Sequence, residues 1–466
     1  MLRASVAAEK VGVRSVSLIM SAFMAQARPV AGSLGVGNLP LAEYKGVHGL
    51  DSAEEFRDKV ATQVVNQIVE GLASYVEVAA PAKDPGPRDI VFRGSLTEVQ
   101  GHFHYNTWTD GLPVIPPTIE KVEEFLRFTD RFPDEVIGTL LPARCEATVW
   151  NVAVNGVMAG CRPEYMPVLL AIVEAMAEPE WRIEDAGSTP AWEPLVIVNG
   201  PIVKELDFNY ESGTMRVGRQ SNTSIGRFAR LYMRNVAGLR AGRDETMEKG
   251  VIGTTFSVVL AENEDAVGEI GWKPLSVEQG FAAGQSVVSV QSVLFNSLIL
   301  LDTRMDGAAE LVRRIARAWG QGDIAYWSPA GMYYDKWFPL LVVTPAVAKI
   351  FARDGWTKDD IKQYLYENCK TTAREAEDGP GIRGTGYSLC QLVEEGKLPR
   401  EYCASADPER LVPVFRRPET IAVVVSGDPG VGRARGYTNN HEQGARVSKI
   451  VKLPVRWKEL LDEDRR

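Results

Sequence analysis

The first 76 residues alternate between short apolar runs and amphipathic stretches, a pattern that predicts a small parallel α/β unit. Residues 13–20 and 39–44 have the apolar runs of strands, and residues 21–34 between them favour a helix. A longer helix is predicted for residues 52–72, where one apolar stripe repeats every four positions: Phe56, Val60, Val64, Ile68 and Leu72. Because this pattern begins with a helix end and no preceding strand, we expect a partial, Rossmann-like α/β domain over residues 1–80.

A proline-rich linker is predicted at residues 81–97, and a larger domain of mixed α+β type at residues 98–466. Its short apolar runs predict strands at 136–141, 194–199, 254–260, 286–290, 338–343 and 420–426. Its amphipathic stretches predict helices at 148–159, 163–177, 224–235, 308–319 and 358–368. The sequence shows no repeat of fixed period, and a glycine-rich segment at 378–386 is the next possible break.

Charge and hydropathy exclude several classes of protein. Lys and Arg number 52 against 61 Asp and Glu, and this formal net charge of −9 argues against a dedicated nucleic-acid binder. The apolar run at residues 16–25 is shorter than the ~20 residues of a membrane-spanning helix. Basic residues precede this run as in a signal peptide, but a strand followed by a helix fits it better, so we expect a cytoplasmic protein. The five cysteines lack CxxC spacing, which favours neither a disulfide scaffold nor a zinc ribbon.

The segment TWTDGLPVIPPT at residues 107–118 predicts a stiff extended loop. Asp110 and the following glycine favour a turn, and three prolines prevent a helix. Such a loop can line a pocket with Trp108 and Asp110, and Asp110 is then a candidate for moving a proton. The alternative is a structural strap between two elements.

The helix predicted for residues 148–159 is apolar except for three positions on one face: Thr148, Asn151 and Asn155. Buried amides need hydrogen-bond partners, so this stripe either joins neighbouring backbone or faces a polar pocket. In the second case Asn151 and Asn155 would orient a polar group of a substrate.

Cys161 is the candidate reactive thiol. Gly160 favours the end of one helix and Pro163 the start of another, which places Cys161 near a helix N-terminus and beside Arg162. Both features lower the pKa of a thiol. The alternative is a small buried side chain with no chemical role.

Seven arginines between residues 216 and 243 form the clearest local charge contrast. Arg219 and Asn222 lie in a polar, glycine-containing loop that is predicted to open the helix at 224–235, and Arg227 lies in that helix. Free backbone N–H groups at a helix start, together with arginines, can bind an anion, so these three residues are candidate substrate ligands. The alternative is a solvated helix face that pairs with acidic residues of segment 244–248.

Two further segments carry residues that are typical of a metal site or of a phosphate loop. His102 and His104, with Asp110, are candidate metal ligands, because alternate residues of a strand point the same way. His48 or His441 would have to come from elsewhere in the fold. The glycine-rich segment 427–432 lacks the residues of a P-loop and is better interpreted as a turn.

Several segments together resemble the bacterial UGSC-motif proteins, a family named for a selenocysteine-Gly-Ser-Cys or Cys-Gly-Ser-Cys tetrapeptide. These segments are TWTDGLPVIPPT (107–118), NVAVNGVMAGCRPEYMPVLLAIVEA (151–175), LVIVNGP (195–201), SNTSIGRFARLYMRNVAG (221–238) and AENED (261–265). The resemblance covers most of residues 100–300, and SKIVKLPVRW (448–457) is again similar. The first 76 residues are similar to the part of the family's α/β domain that follows the motif, and distantly to substrate-activating subunits of glycine and proline reductases. The tetrapeptide itself is absent from this chain.

The resemblance and the candidate residues leave three hypotheses. In the first, the protein is an enzyme or enzyme subunit that acts on a small, anionic organic substrate by thiol redox or carbon–heteroatom bond chemistry. The thiol is then Cys161 or one from a partner chain that carries the missing motif. In the second, a metal-assisted lyase or hydrolase uses His102, His104 and Asp110. In the third, the chain is a non-catalytic subunit that completes a partner's fold.

We also expect a homo-oligomer or hetero-oligomer, because the strand at residues 13–20 lacks a neighbour on one side. The sequence identifies no cofactor.

Overall fold

The computed structural model describes residues 2–46, 51–76, 78, 86–187, 192–240, 258–303, 307–320, 324, 337–379, 382, 387–439 and 444–464. These residues form two compact units. Unit 1 holds the described residues up to Val91 together with Leu239 and Arg240, and unit 2 holds the others. Helices combine with both parallel and antiparallel strand pairs, which confirms the expected mixed α/β class.

Unit 1 contains the alternating elements that the apolar pattern predicts. They are α1 (Leu2–Lys10), β1 (Ser17–Met20), α2 (Ser21–Ser33), β2 (Leu41–Tyr44), α3 (Ala53–Lys59) and α4 (Val65–Ala73). A π-helical turn, Val60–Val64, joins α3 to α4. β1 and β2 pair in parallel. Four residues of the predicted stripe pack against β2, but Leu72 is exposed.

Unit 2 contains more strands than the apolar runs predict. Its helices are α5 (Leu96–Tyr105), α6 (Ile119–Leu126), α7 (Val149–Ala159), α8 (Met166–Met176), α9 (Ile202–Glu205), α10 (Gln220–Asn235), α11 (Glu264–Glu269), α12 (Leu275–Glu278), α13 (Ala308–Trp319), α14 (Pro345–Arg353), α15 (Lys358–Asn368), α16 (Ala373–Asp378), α17 (Leu389–Glu394) and α18 (Trp457–Asp464). Its strands are β3 (Val136–Leu140), β4 (Cys145–Thr148), β5 (Glu193–Asn199), β6 (Leu260–Ala261), β7 (Val287–Val293), β8 (Phe295–Leu300), β9 (Leu340–Val343), β10 (Lys370–Thr372), β11 (Leu411–Pro413), β12 (Ala422–Val425), β13 (Arg433–Thr438) and β14 (Val447–Ile450).

Two four-stranded sheets form the centre of unit 2, and both have the same strand order. The first sheet is ordered β6-β5-β7-β14 and the second β12-β9-β13-β8. In each sheet the first pair is parallel and the next two pairs are antiparallel. The fourth strands are exchanged: β8 follows β7 in the chain but joins the second sheet, and β14 follows β13 but joins the first.

The register of the two sheets is also the same. Ile197 of β5 pairs with Leu260 and Ser289, and its counterpart Val342 of β9 pairs with Val424 and Arg435. The central strands begin with similar sequences, Pro-Leu-Val-Ile-Val at 194–198 and Pro-Leu-Leu-Val-Val at 339–343. Unit 2 therefore has an internal structural repeat, although the sequence shows no fixed period.

The two sheets pack face to face between two helix layers. Leu195, Ile197 and Leu260 of the first sheet share one core with residues of the second sheet: Leu340, Val342, Ala422, Val424 and Tyr437. On its other face the second sheet packs against α13, α14 and α15. Helices α8 and α10 pack against the first sheet, and α7 packs against both of these helices.

Several local predictions were wrong or incomplete. Helix α10 begins at Gln220, four residues before the predicted start, and α5 begins inside the predicted linker 81–97. Of the predicted strand 254–260 only its end is seen, in β6, and residues 254–257 lie outside the described part. The segment 378–386 also lies mostly outside it. Cys390 and Cys403 form a disulfide that the cysteine spacing did not indicate.

Candidate functional site

The predicted loop 107–118 lies against helix α10. Arg227 of α10 holds Asp110 with two hydrogen bonds of 2.8 Å, from Nε to Oδ2 and from Nη2 to Oδ1. The same Nη2 donates to the Pro113 carbonyl at 2.9 Å. This planar, two-bond geometry is the strongest form of an arginine–carboxylate pair. The pair is mostly enclosed, with 18% of the Arg227 and 27% of the Asp110 side chain exposed.

The charge of Asp110 follows from this contact. Partial burial alone would raise the pKa of its carboxyl, but the hydrogen bond and positive charge of Arg227 outweigh it and lower the pKa below its usual value. Asp110 is therefore ionised at neutral pH and bound to a cation. In this arrangement it is poorly suited to the proton transfer that the sequence suggested.

The rest of the loop is tied to the end of the same helix. Arg234 donates to the Thr107 carbonyl at 2.8 Å, and Asn235 donates to the Trp108 carbonyl at 3.1 Å. The Trp108 ring packs edge-on against Phe103 at a centroid distance of 5.7 Å. The loop is thus a structural strap over α10, and it also carries the polar side chain of Asp110. The strap and the polar loop, which the sequence offered as alternatives, are therefore the same segment.

The asparagines of α7 use their amides within the protein. Asn151 caps its own helix with Thr148, and its Oδ1 accepts a hydrogen bond of 2.7 Å from the Tyr232 hydroxyl. Asn155 is buried; its Nδ2 donates to the Asn151 carbonyl, and its Oδ1 accepts from Asn235 at 2.9 Å. Of the two alternatives, the first is therefore correct: both asparagines form hydrogen bonds with neighbouring groups of the protein.

Cys161 is buried beside the Asp110–Arg227 pair, and its expected low pKa is wrong. Burial raises the pKa of the thiol to about 12, although a hydrogen bond with Ser224 and the charge of Arg227 act in the opposite direction. Arg162 does not stabilise a thiolate at Cys161, because its guanidinium binds Glu164 at 2.5 Å. A 3-10 turn at Pro163–Tyr165 leads directly into α8, so Cys161 lies near a helix start as predicted, but burial dominates the pKa of its thiol. Cys161 is a neutral thiol at neutral pH.

The other two predicted substrate ligands are also occupied. Arg219 pairs with Asp207 at 2.6 Å on the surface. Asn222 is buried, where its Oδ1 accepts the Asn209 N–H and its Nδ2 donates to the Val259 carbonyl at 2.9 Å. The predicted anion-binding loop is instead the first turn of α10, because Ser221 and Ser224 bond to nearby carbonyls and support an earlier helix start.

The predicted metal ligands are not arranged as the sequence suggested. His102 and His104 lie on helix α5, not on a strand, and residues two apart on a helix point in nearly opposite directions. The His102 ring stacks on Phe92 at 4.4 Å, and His104 is exposed. Within the described ranges no group of three metal-ligating side chains exists. His48 and His441 lie outside the described residues.

A buried charge cluster at the end of β6 was missed. Glu262 is 1% exposed; its Oε2 accepts hydrogen bonds of 2.7 Å from Asn199 and from the Leu275 N–H. Lys358, 4% exposed, lies 3.4 Å from Glu262 and 3.0 Å from Glu278. The sequence could have indicated Glu262, because this carboxylate directly follows an apolar strand. It could not indicate Lys358, which lies 96 residues away in the chain.

Comparisons of the chain with protein-family models, with curated proteins and with solved structures found no match. Among the residues that the structure describes, no helix is long and apolar enough to cross a membrane. The function must therefore be argued from the geometry of the site and from the resemblance of its segments.

Proposed function

We propose that this protein is an enzyme, or a subunit of one, of the UGSC-motif type that acts on a small anionic organic molecule by thiol chemistry. The observation that carries the proposal is the Asp110–Arg227 pair beside Cys161. Three of the segments that resemble the family supply these residues, namely 107–118, 151–175 and 221–238, and they meet around α10 although they are far apart in the chain. Their convergence supports one shared site.

Arg227 is the proposed receptor for the substrate's negative charge. Its guanidinium already binds one carboxylate in a two-bond geometry, and Asp110 lies on an exposed turn of the loop. A substrate carboxylate of the same shape competes with Asp110 for these donors. Its arrival releases the loop and places the substrate near the thiol of Cys161. Asn151 and Asn155 then support the helix face rather than contact the substrate.

The raised pKa of Cys161 supports a thiol from another chain as the nucleophile. A thiolate is the nucleophile, and a thiol with a pKa of about 12 is almost fully protonated at neutral pH. We therefore assign the reactive thiol to a second polypeptide that carries the Cys-Gly-Ser-Cys motif. Its thiolate attacks an electrophilic carbon or sulfur of the substrate held at Arg227. Cys161 is the alternative thiol if substrate binding exposes it.

The proposed partner fits the edge of unit 1. Among the described residues β1 pairs only with β2, and two strands alone make a marginal sheet. A strand from a partner or from a second copy of this chain can pair along β1. We propose a cytoplasmic location because residues 17–33 form β1 and α2, whereas the Cys390–Cys403 disulfide is more typical of an oxidising compartment.

Alkylation of Cys161 with a charged and a neutral reagent tests the substrate site. Iodoacetate and iodoacetamide both form a carbon–sulfur bond with loss of iodide and of the thiol proton, but only iodoacetate carries a carboxylate. If Arg227 recruits carboxylates, the ratio of the iodoacetate rate to the iodoacetamide rate should be higher at Cys161 than at the exposed Cys145. Mass spectrometry of peptides gives both rates.

Arg227→Gln should reduce the ratio at Cys161 to that at Cys145, whereas the matched change Arg219→Gln should leave it unchanged. An equal ratio at the two cysteines of the unaltered protein would refute Arg227 as the receptor.

A further inference from the structure

In unit 2, the guanidinium of Arg446 carries a positive charge that no carboxylate of the described residues neutralises by direct contact. Arg446 lies just before β14, and its Nε donates a hydrogen bond of 2.7 Å to Gln291 Oε1. Its Nη2 is enclosed and has no hydrogen-bond partner among the described residues. Burial lowers the pKa of Arg446 to about 10, while Glu278 acts in the opposite direction, so the guanidinium is still charged at neutral pH.

This guanidinium forms part of the wall of a cavity of about 380 Å³. The volume falls in the range of small-molecule sites, roughly 300–1,000 Å³. Phe338 contributes an apolar wall and Gln279 a polar one. Gln279 accepts hydrogen bonds from Ser289 and Ser448 at its Oε1, and its Nε2 donates none within the described part of the chain. Arg417 and Glu419 also line the cavity, so the charge of its wall is positive overall.

The second sheet also contains an arginine beside an amide, but at a different register position. There Arg435 of β13 donates to Asn296 at 3.3 Å and also bonds to Tyr437. Asn296 occupies the register position that corresponds to Arg446 in the first sheet. The first half thus has a cation, Arg446, at a position where the second half has a neutral amide.

We propose that the cavity beside Arg446 is a binding site for a small organic carboxylate. The carboxylate oxygens accept hydrogen bonds from the Arg446 guanidinium and the Gln279 amide, and a short apolar chain lies against Phe338. A partly buried cation gains more from such a partner than an exposed one, because water competes less for it. This site uses other elements than the Asp110–Arg227 site and does not depend on the function proposed above.

Thermal unfolding with butyrate and with butyramide tests the proposal. The two molecules have nearly the same shape, but only butyrate is charged. Millimolar butyrate should raise the melting temperature of the full chain in a saturable way by mass action on the folded state, and butyramide should not. Sodium chloride at equal ionic strength corrects for the general effect of salt.

Arg446→Gln should abolish the butyrate shift, and Arg313→Gln, a change on the exposed face of α13, should preserve it. Thr420→Phe provides a second variant, because it fills the cavity and keeps the arginine. The proposal is overturned if butyrate gives no shift in the unaltered protein, if butyramide gives an equal shift, or if the shift persists in folded Arg446→Gln or Thr420→Phe protein.

Discussion

The two halves of unit 2 share strand order and register, yet they place charged groups differently. Each edge strand that pairs in parallel ends with a residue whose N–H binds the central strand: Glu262 binds Val198 at 3.1 Å, and Ser426 binds Val343 at 3.0 Å. The same backbone position thus holds a buried carboxylate in the first half and a hydroxyl in the second.

The helix layers of the two halves also differ in how many polar and charged side chains they carry. On the first sheet, α7 and α10 carry the asparagines and Arg227 around the 107–118 strap, and Cys161 follows the end of α7. On the second sheet, α13, α14 and α15 present an apolar surface with Trp319 at its centre. The repeated backbone is a scaffold: the Asp110–Arg227 site lies on its first copy, whereas the Arg446 cavity is lined by residues of both copies.

The largest expected effect comes from breaking the charge cluster of the first half. Lys358→Met leaves Glu262 as a buried charge without its cation, which should lower the free energy of unfolding by about 3–5 kcal/mol. Urea unfolding followed by tryptophan fluorescence measures the loss. Ser426→Ala, at the matching position, removes a neutral hydroxyl that bonds to the Ala261 and Tyr210 carbonyls and to Thr214, and should cost only about 1–2 kcal/mol.

Adding Glu262→Gln to Lys358→Met should recover part of the lost stability, because the unpaired charge is then gone. A double variant as unstable as the sum of both single variants would contradict this explanation.

The disulfide stabilises the second half by a different mechanism. Cys390 and Cys403 are 13 residues apart, and a loop of that size restricts the unfolded chain by about 3 kcal/mol. The double change Cys390→Ser with Cys403→Ser should therefore lower stability by roughly 2–3 kcal/mol, as measured by urea unfolding. The butyrate shift assigned to Arg446 should persist in this variant, and its disappearance would show that the halves are coupled.

Arg227→Gln should have a smaller effect on stability than Lys358→Met, about 1–3 kcal/mol, because the Asp110–Arg227 pair is partly exposed. Limited proteolysis should then cut the 107–118 strap more rapidly, since Asp110 and the Pro113 carbonyl lose their donor. Arg314→Gln, which removes a surface ion pair on α13, is the matched control and should change neither quantity measurably. Equal proteolysis of the strap in both variants would mean that the pair does not hold it.

The smallest expected effect is a dependence of stability on pH. The pKa of Asp110 is lowered in the folded state, so its ionised form stabilises the fold at pH values above its unfolded pKa of about 3.9. This contribution is lost as the pH falls through the folded pKa. The melting temperatures of the unaltered protein and Asp110→Asn should therefore differ at neutral pH and approach each other below about pH 3.9. A difference in melting temperature that stays constant across this pH range would contradict a stabilising role for the Asp110–Arg227 ion pair.

The apolar pattern was sufficient for most elements. Helices α13 and α15 have the predicted bounds, and the parallel pairing of β1 with β2 is confirmed. It was insufficient for β10, which is three residues long, and for β14, which has no apolar run. Such strands form because a neighbouring strand supplies their hydrogen bonds, and that neighbour is remote in the sequence.

For the candidate site, residue type and local spacing selected Asp110, Cys161 and Arg227, and the structure brings these three together. Their properties were decided by tertiary contacts. Arg227 binds a carboxylate 117 residues away, and burial turns an expected thiolate into a neutral thiol. Local periodicity depends on neighbours along the chain, so the sequence alone determined the helices and the main strands. Charge state, ion pairing and the exchange of β8 with β14 depend on groups that meet only after folding, and these the tertiary structure decided.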